Sequence, residues 1–210
     1  MILSKKLLIA STSLLAVFCL ESSFAQQNDV LPDYPNSYEI VRNIVDFPEG
    51  RSMGSGNAID VDSKGNIWVF ERCGGNNGAC PESDVDPVLQ FSPGGDLLFS
   101  FGSGMFVWPH GVVVDDDDNL WLIDAGIIEG EKGNQIFKFT PEGELLLVLG
   151  EPGIRGDAPG EFNEPSDLAI GADGSLYIVD GHINPESNRR IVHMTADGQF
   201  IEAWGEKGYG

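Results

Sequence analysis

An all-β fold of repeated four-stranded sheets is the class this sequence predicts, on three observations. The 210-residue chain repeats itself at a period of 48 to 56 residues: Trp68, Trp121 and Tyr177 correspond, as do Gly102, Gly150 and Gly205. Each copy holds four short apolar runs rich in β-branched and aromatic residues and broken by Gly, Asp and Pro, which are strand and hairpin signals. No stretch sustains the 3.6-residue apolar period of an amphipathic helix. Four antiparallel strands at this period make the blade of a β-propeller. A single blade cannot bury both its faces, so blades stack around an axis.

Residues 1–25 are read apart from that fold. Lys5 and Lys6 precede an apolar run from Leu7 to Leu20, and Ser23 and Ala25 occupy the −3 and −1 positions of a small-residue cleavage site. This is the pattern of a signal peptide, and the run is short for a membrane span, which needs about 20 residues. The expected location is therefore secreted or periplasmic, with no membrane association after cleavage. Residues 26–54 form an N-terminal segment whose YEIVRNIVDF stretch at 38–47 reads as a possible closing strand.

The repeats occupy 55–210, divided as 55–107, 108–163 and 164–210. In the first, Ala58–Val61 and Ile67–Phe70 flank the turn DSKGN, and Val88–Phe91 and Leu97–Phe101 flank SPGGD. The second carries PHGVVVDDDDNLWLIDA and NQIFKFTPEGELLLVLG, the third PSDLAIGADGSLYIVDG and RRIVHMTADGQFIEAWG. Asp, Asn and Gly in these turns are what hairpins prefer, although carboxylates there also offer oxygen ligands to calcium. The linker at 150–165 contains an RGD triplet, read as ordinary interblade chain.

Net charge is −21, from 33 acidic and 12 basic residues. That excludes nucleic acid as a partner, since phosphates require a basic surface. Cys73 and Cys80 flank a Gly/Asn-rich loop, and in an exported chain a disulfide is expected there. The alternative, a thiolate metal site, has no other soft ligand nearby in sequence.

His110 opens the innermost strand of the second repeat. Its siblings are Gly56 or Asn57 in the first and Ser166 in the third, so the blade itself does not require histidine. It reads either as a ligand at the channel rim or as a solvated rim histidine. His193, in RIVHMT, reads as an outer-strand residue.

These repeats resemble the NHL type, through the P-x-[DG]-[LV]-[AV] blade openings at 109–113 and 165–169, the D-x-x-[GN]-x-[LI]-[WY]-[VIL] hairpins and the F-x-P-x-G closings. More narrowly, WPHGVVVDDDDNLWLIDAG, FNEPSDLAIGADGSLYIVDG and NRRIVHM resemble peptidyl-α-hydroxyglycine α-amidating lyase. That resemblance implies a six-bladed propeller holding zinc through three histidines and a calcium ion in its channel. It makes His110 the first zinc ligand, Arg72 the site arginine, and the carbonyls of Asn57 and Val112 calcium ligands. Neutral imidazole suits zinc, and an arginine suits a carboxylate. His182 stands where the family has tyrosine, with an insertion after it, and imidazole can serve there in acid–base catalysis.

The other two zinc histidines would belong to blades after Gly210, so the expectation is an incomplete fragment. If the chain is not truncated, self-association is the expected route to closure. The expected partner is a small peptide substrate or a protein ligand. Two further readings stand beside the lyase: a non-catalytic ligand-binding propeller, and a calcium-dependent lactonase-like hydrolase, against which the missing acidic ligands at blade starts weigh.

Overall fold

The computed structural model describes residues 39, 41–42, 44–47, 49–74 and 80–205, without the side chains of Gly56 and Asn57. The signal-peptide stretch lies outside the described residues. Among those described, no helix is long and apolar enough to cross a membrane.

The chain forms three four-stranded antiparallel sheets. The first runs β1 (Gly56–Val61), β2 (Ile67–Glu71), β3 (Val88–Phe91) and β4 (Leu97–Phe101). The second runs β5 (Pro109–Val114), β6 (Leu120–Ile128), β7 (Lys132–Phe139) and β8 (Leu145–Leu149). The third runs β9 (Pro165–Ile170), β10 (Leu176–Asp180), β11 (Arg190–Met194) and β12 (Phe200–Trp204). In each, sequence order is spatial order, so every connection within a blade is a hairpin. The all-β propeller class expected from the repeats is what the chain adopts.

Stacking explains the continuous apolar runs. β6 begins LWLID with every one of those side chains buried, because both faces of the blade are covered. Trp68, Phe70, Val88 and Phe106 of the first repeat pack with Val112, Leu122 and Phe137 of the second. Trp121, Ile123 and Ile136 pack in turn with Leu168, Ile178 and Val192 of the third. Within 38–47, Asp46 makes one isolated parallel bridge with Asp96. Val45 and Phe47 lie against Leu89 and Phe91 on the other face of the first blade.

The acidic hairpins are built as turns. Asp62 accepts from the backbone of Lys64 and Asn66, from Asn66 Nδ2, and from Trp68 Nε1 at 3.2 Å. Asp115 repeats this with Asp117, Asn119 and Trp121, and adds an ion pair to Lys138 at 2.8 Å. In both, burial works against ionisation, but the hydrogen bonds outweigh it and hold the carboxyl below its usual range.

Candidate functional site

The innermost strands β1, β5 and β9 bring one rim together. Each begins with a register irregularity. Pro109 faces Asp124 and Gly111 faces Ile123, leaving His110 unpaired between them. Asn57 is skipped between Gly56 and Ala58 in the same way, and Ser166 between Pro165 and Asp167. A bulge re-aims the extra residue out of the ladder. Blade-start position 110 is therefore a place where a side chain is presented rather than packed.

His110 is held in one tautomer. Its Nδ1 lies 2.7 Å from the Ser166 carbonyl oxygen, which can only accept, so Nδ1–H donates and Nε2 keeps its lone pair. Gly111 lets the two blades approach: a Cβ there would stand 2.8 Å from Ile123 Cδ1 and 3.3 Å from the Ser166 oxygen. Burial pushes the His110 pKa down; the Ser166 bond opposes this, while the neighbouring His182 and Arg72 charges reinforce it.

The structure brings all three sequence-predicted residues into one cluster. The His182 ring lies 4.6 Å from that of His110, centroid to centroid. Arg72, just past β2, donates from Nε to the Pro109 carbonyl at 3.3 Å. Its terminal amino groups make no hydrogen bond among the described residues, and burial lowers its pKa. His182 is set by the 183–188 insertion: its backbone N–H donates to Ser187 Oγ at 3.1 Å, and Ser187 Oγ donates to the Asn184 carbonyl at 2.7 Å. Its Nδ1 is buried without a hydrogen-bond partner. His110, His182, Ser166 and Asp167 line an open cleft of about 470 Å³, with Ala58, Ile59 and Val112 as its apolar wall.

Two features escaped the sequence reading. Trp108 stands among the three residues, 4.8 Å from the Arg72 guanidinium, 5.0 Å from the His182 ring and 5.8 Å from His110. The second is a buried carboxylate at the fifth position of the second strand of every blade. Glu71 accepts from Gly54 N and Gly74 N and pairs with Arg51; Asp180 accepts from Asn163 N and pairs with Arg190. Asp124 accepts from the backbone of Val107, Trp108 and Gly126. Its signal was present as the in-register endings WVFE, WLID and YIVD. Burial pushes Asp124 up to about 6 despite those three bonds.

Of the other expected residues, Cys73 and Cys80 form the disulfide, with Cα atoms 5.5 Å apart. Val112 lies on β5 paired with Leu122, and Asn57 is the β1 bulge, its side chain outside the described residues. His193 lies on β11, stacked between Tyr177 and Trp204 at ring separations of 4.5 and 5.6 Å. It is remote from the rim cluster in the blade.

A zinc site needs three or four protein ligands. His110 Nε2 suits one position, because a ligating imidazole usually donates its other N–H to a carbonyl or carboxylate. His182 is the only imidazole placed beside it. No group of three or more His, Cys, Asp or Glu side chains could hold a metal among the described residues. The residues on this rim thus fit part of a zinc site and do not complete one. Two carbonyls, at Asn57 and Val112, likewise fall short of the six to eight oxygens calcium takes.

No protein-family model matches the chain. Among known proteins, it is 31% identical to mouse (Mus musculus) peptidyl-glycine alpha-amidating monooxygenase over 172 residues, covering 80% of this chain and 16% of that protein. It is 28% identical to peptidyl-alpha-hydroxyglycine alpha-amidating lyase 1 of Drosophila melanogaster, covering 73% of this chain and 30% of that one. It is 32% identical to mouse NHL repeat-containing protein 3, covering 72% and 42%. This chain is an NHL-type propeller resembling the amidating lyases. It spans less than half the length of each of these three relatives.

Proposed function

We propose that this lyase-like propeller acts on the carbinolamide bond of a peptide ending in α-hydroxyglycine, releasing the peptide amide and glyoxylate. The observation that carries this reading is the cluster that Arg72, His110 and His182, from three different blades, form around Trp108, beside a cleft lined by the two histidines.

Each residue has a task it is chemically fitted to. The terminal amino groups of Arg72, which make no hydrogen bond among the described residues, are a fork for the substrate carboxylate. His182 takes the proton of the α-hydroxyl; the carbon–oxygen double bond forms as the carbon–nitrogen bond breaks, and the protonated His182 returns that proton to the departing amide nitrogen. His110, kept neutral by burial and fixed by Ser166, offers Nε2 as a hydrogen-bond acceptor or one metal ligand. Zinc and calcium belong to this reading by family resemblance. An exported chain, secreted or periplasmic, fits the disulfide and the leader pattern.

The test is glyoxylate release from a peptide ending in α-hydroxyglycine, with Arg72→Ala, His110→Ala and His182→Ala beside the unsubstituted protein. Each substitution is expected to lower kcat/KM by about 100-fold or more, the usual range for a positioned acid–base or charge-binding group. Release unaffected by all three, or none from any, contradicts the reading.

The second reading, a ligand-binding propeller without chemistry, is favoured by the match to NHL repeat-containing protein 3, whose name carries no activity. It predicts saturable binding of a peptide carboxylate with no turnover.

A further inference from the structure

Beside the cleft, Arg72 is a long side chain, and among the described residues only its Nε is hydrogen-bonded, to the Pro109 carbonyl at 3.3 Å. Something else must fix the direction of its fork if it is to hold a carboxylate. The guanidinium lies 4.8 Å from the Trp108 ring, within the range of a cation–π contact. The same indole meets His182 edge to face, at 5.0 Å and 80°. Trp108 is itself anchored from beneath. Its N–H donates to Asp124 at 2.7 Å, and its carbonyl accepts from Ala125 N at 3.1 Å. Gly126 admits it closely: a Cβ there would stand 2.6 Å from Trp108 Cβ. The strap 107–109 is thus pinned to a buried carboxylate, and its indole lies against both the Arg72 guanidinium and the His182 ring.

We propose that Trp108 is a positioning residue that sets the Arg72 fork and the His182 ring for a carboxylate-bearing ligand. The proposal deepens the lyase reading for its consequence in turnover, but its geometry and its ligand class, a small carboxylate, stand without turnover. The third-repeat sibling of Trp108 is Glu164, whose backbone N–H meets Asn134 Oδ1 at 3.0 Å. An indole is therefore not what the blade needs at that place.

The test uses glyoxylate as probe, followed at the Arg72 Nε–Hε and His182 ring resonances by NMR. Trp108→Leu, which keeps apolar bulk and removes the π face, is expected to weaken glyoxylate binding about tenfold, the scale of one lost cation–π contact. Trp108→Phe is expected to stay within about threefold. Arg72→Ala with Trp108→Leu should bind no more weakly than Arg72→Ala alone, because Trp108 acts through the arginine. Thermal midpoints of the variants separate loss of fold from loss of positioning, and Trp108→Phe keeps an aromatic filler if Trp108→Leu unfolds. Leu and Phe variants that bind as tightly as the unsubstituted protein overturn the proposal. So does a Leu effect that adds in full to that of Arg72→Ala, and so does an absence of saturable glyoxylate binding. Saturable binding that depends on Trp108, with no glyoxylate released from peptide, would defeat the lyase reading and leave Trp108's role standing.

Discussion

At the residue scale, two titrating groups near this rim, the half-buried His110 and the buried Asp124, shift in opposite directions. His110 has its pKa depressed in the fold, so between that value and the ordinary histidine range near 6.5 the unfolded chain binds more protons. Its contribution to stability is present above that range and is lost as pH falls through the window. Asp124 is raised to about 6, so between about 4 and 6 the folded chain binds more protons, and its contribution falls as pH rises across that interval. Carboxyl-carbon NMR should place the Asp124 midpoint near 6, and urea midpoints of His110→Gln against pH should show less loss on acidification than the unsubstituted protein. Asp124→Ala leaves three backbone N–H groups without their acceptor and should cost on the order of 3 kcal/mol by urea unfolding. An Asp124 midpoint in the ordinary carboxylate range would contradict the claim that its burial outweighs its three backbone hydrogen bonds.

At the element scale, the blade start is a bulge followed by a strand, and the hairpin after it is closed by a carboxylate. Both were legible in unequal degree. The strands were readable because β-branched and aromatic runs alternate with Asp-Gly turns at a fixed period, and β3 and β4 fall where the pattern puts them. The hairpin of β6 and β7 runs on through Ile128 and Lys132, longer than its siblings, because Ile127 and Ile128 continue the ladder past a bulge at 125–126. Sequence pattern does not forecast such an extension. His110 could be singled out because its siblings are not histidine; that it is aimed by a bulge and oriented by the carbonyl of the next blade is a matter of register. Trp108 was hidden for the same reason, since an aromatic beside a proline reads as core. The third blade has Gly171 where the others have Asp62 and Asp115, and Asp173 caps Ser175 instead. Asp62→Ala and Asp115→Ala should therefore each cost about 2 kcal/mol in thermal or urea unfolding, while Asp173→Ala, at an exposed turn, should shift the unfolding midpoint less than either.

At the scale of the whole molecule, equivalent positions differ according to whether a neighbouring blade covers them. Phe70 and Ile123 are 0% exposed, while their equivalent Val179 is 38% exposed. On the opposite faces, Val112 and Leu168 are 7% and 4% exposed, while Ile59 is 67% exposed. Repetition alone gives these positions the same apolar character; stacking decides which are energetically core. Ile123→Ala should cost about 2–4 kcal/mol and Val179→Ala less than 1. Equal losses at the two positions would show that the third blade's face is covered in solution.

The central claim is that Arg72, His110 and His182, brought from three blades, form one electrostatic unit in which His110 presents a neutral Nε2. Long-range nitrogen-15 spectra of the three histidines across pH test it most directly. His110 is expected to be the Nδ1–H tautomer and to titrate below the ordinary histidine range, and His182→Ala is expected to raise its midpoint by removing a neighbouring charge. An Nε2–H tautomer with an ordinary midpoint, unmoved by loss of His182, would contradict it.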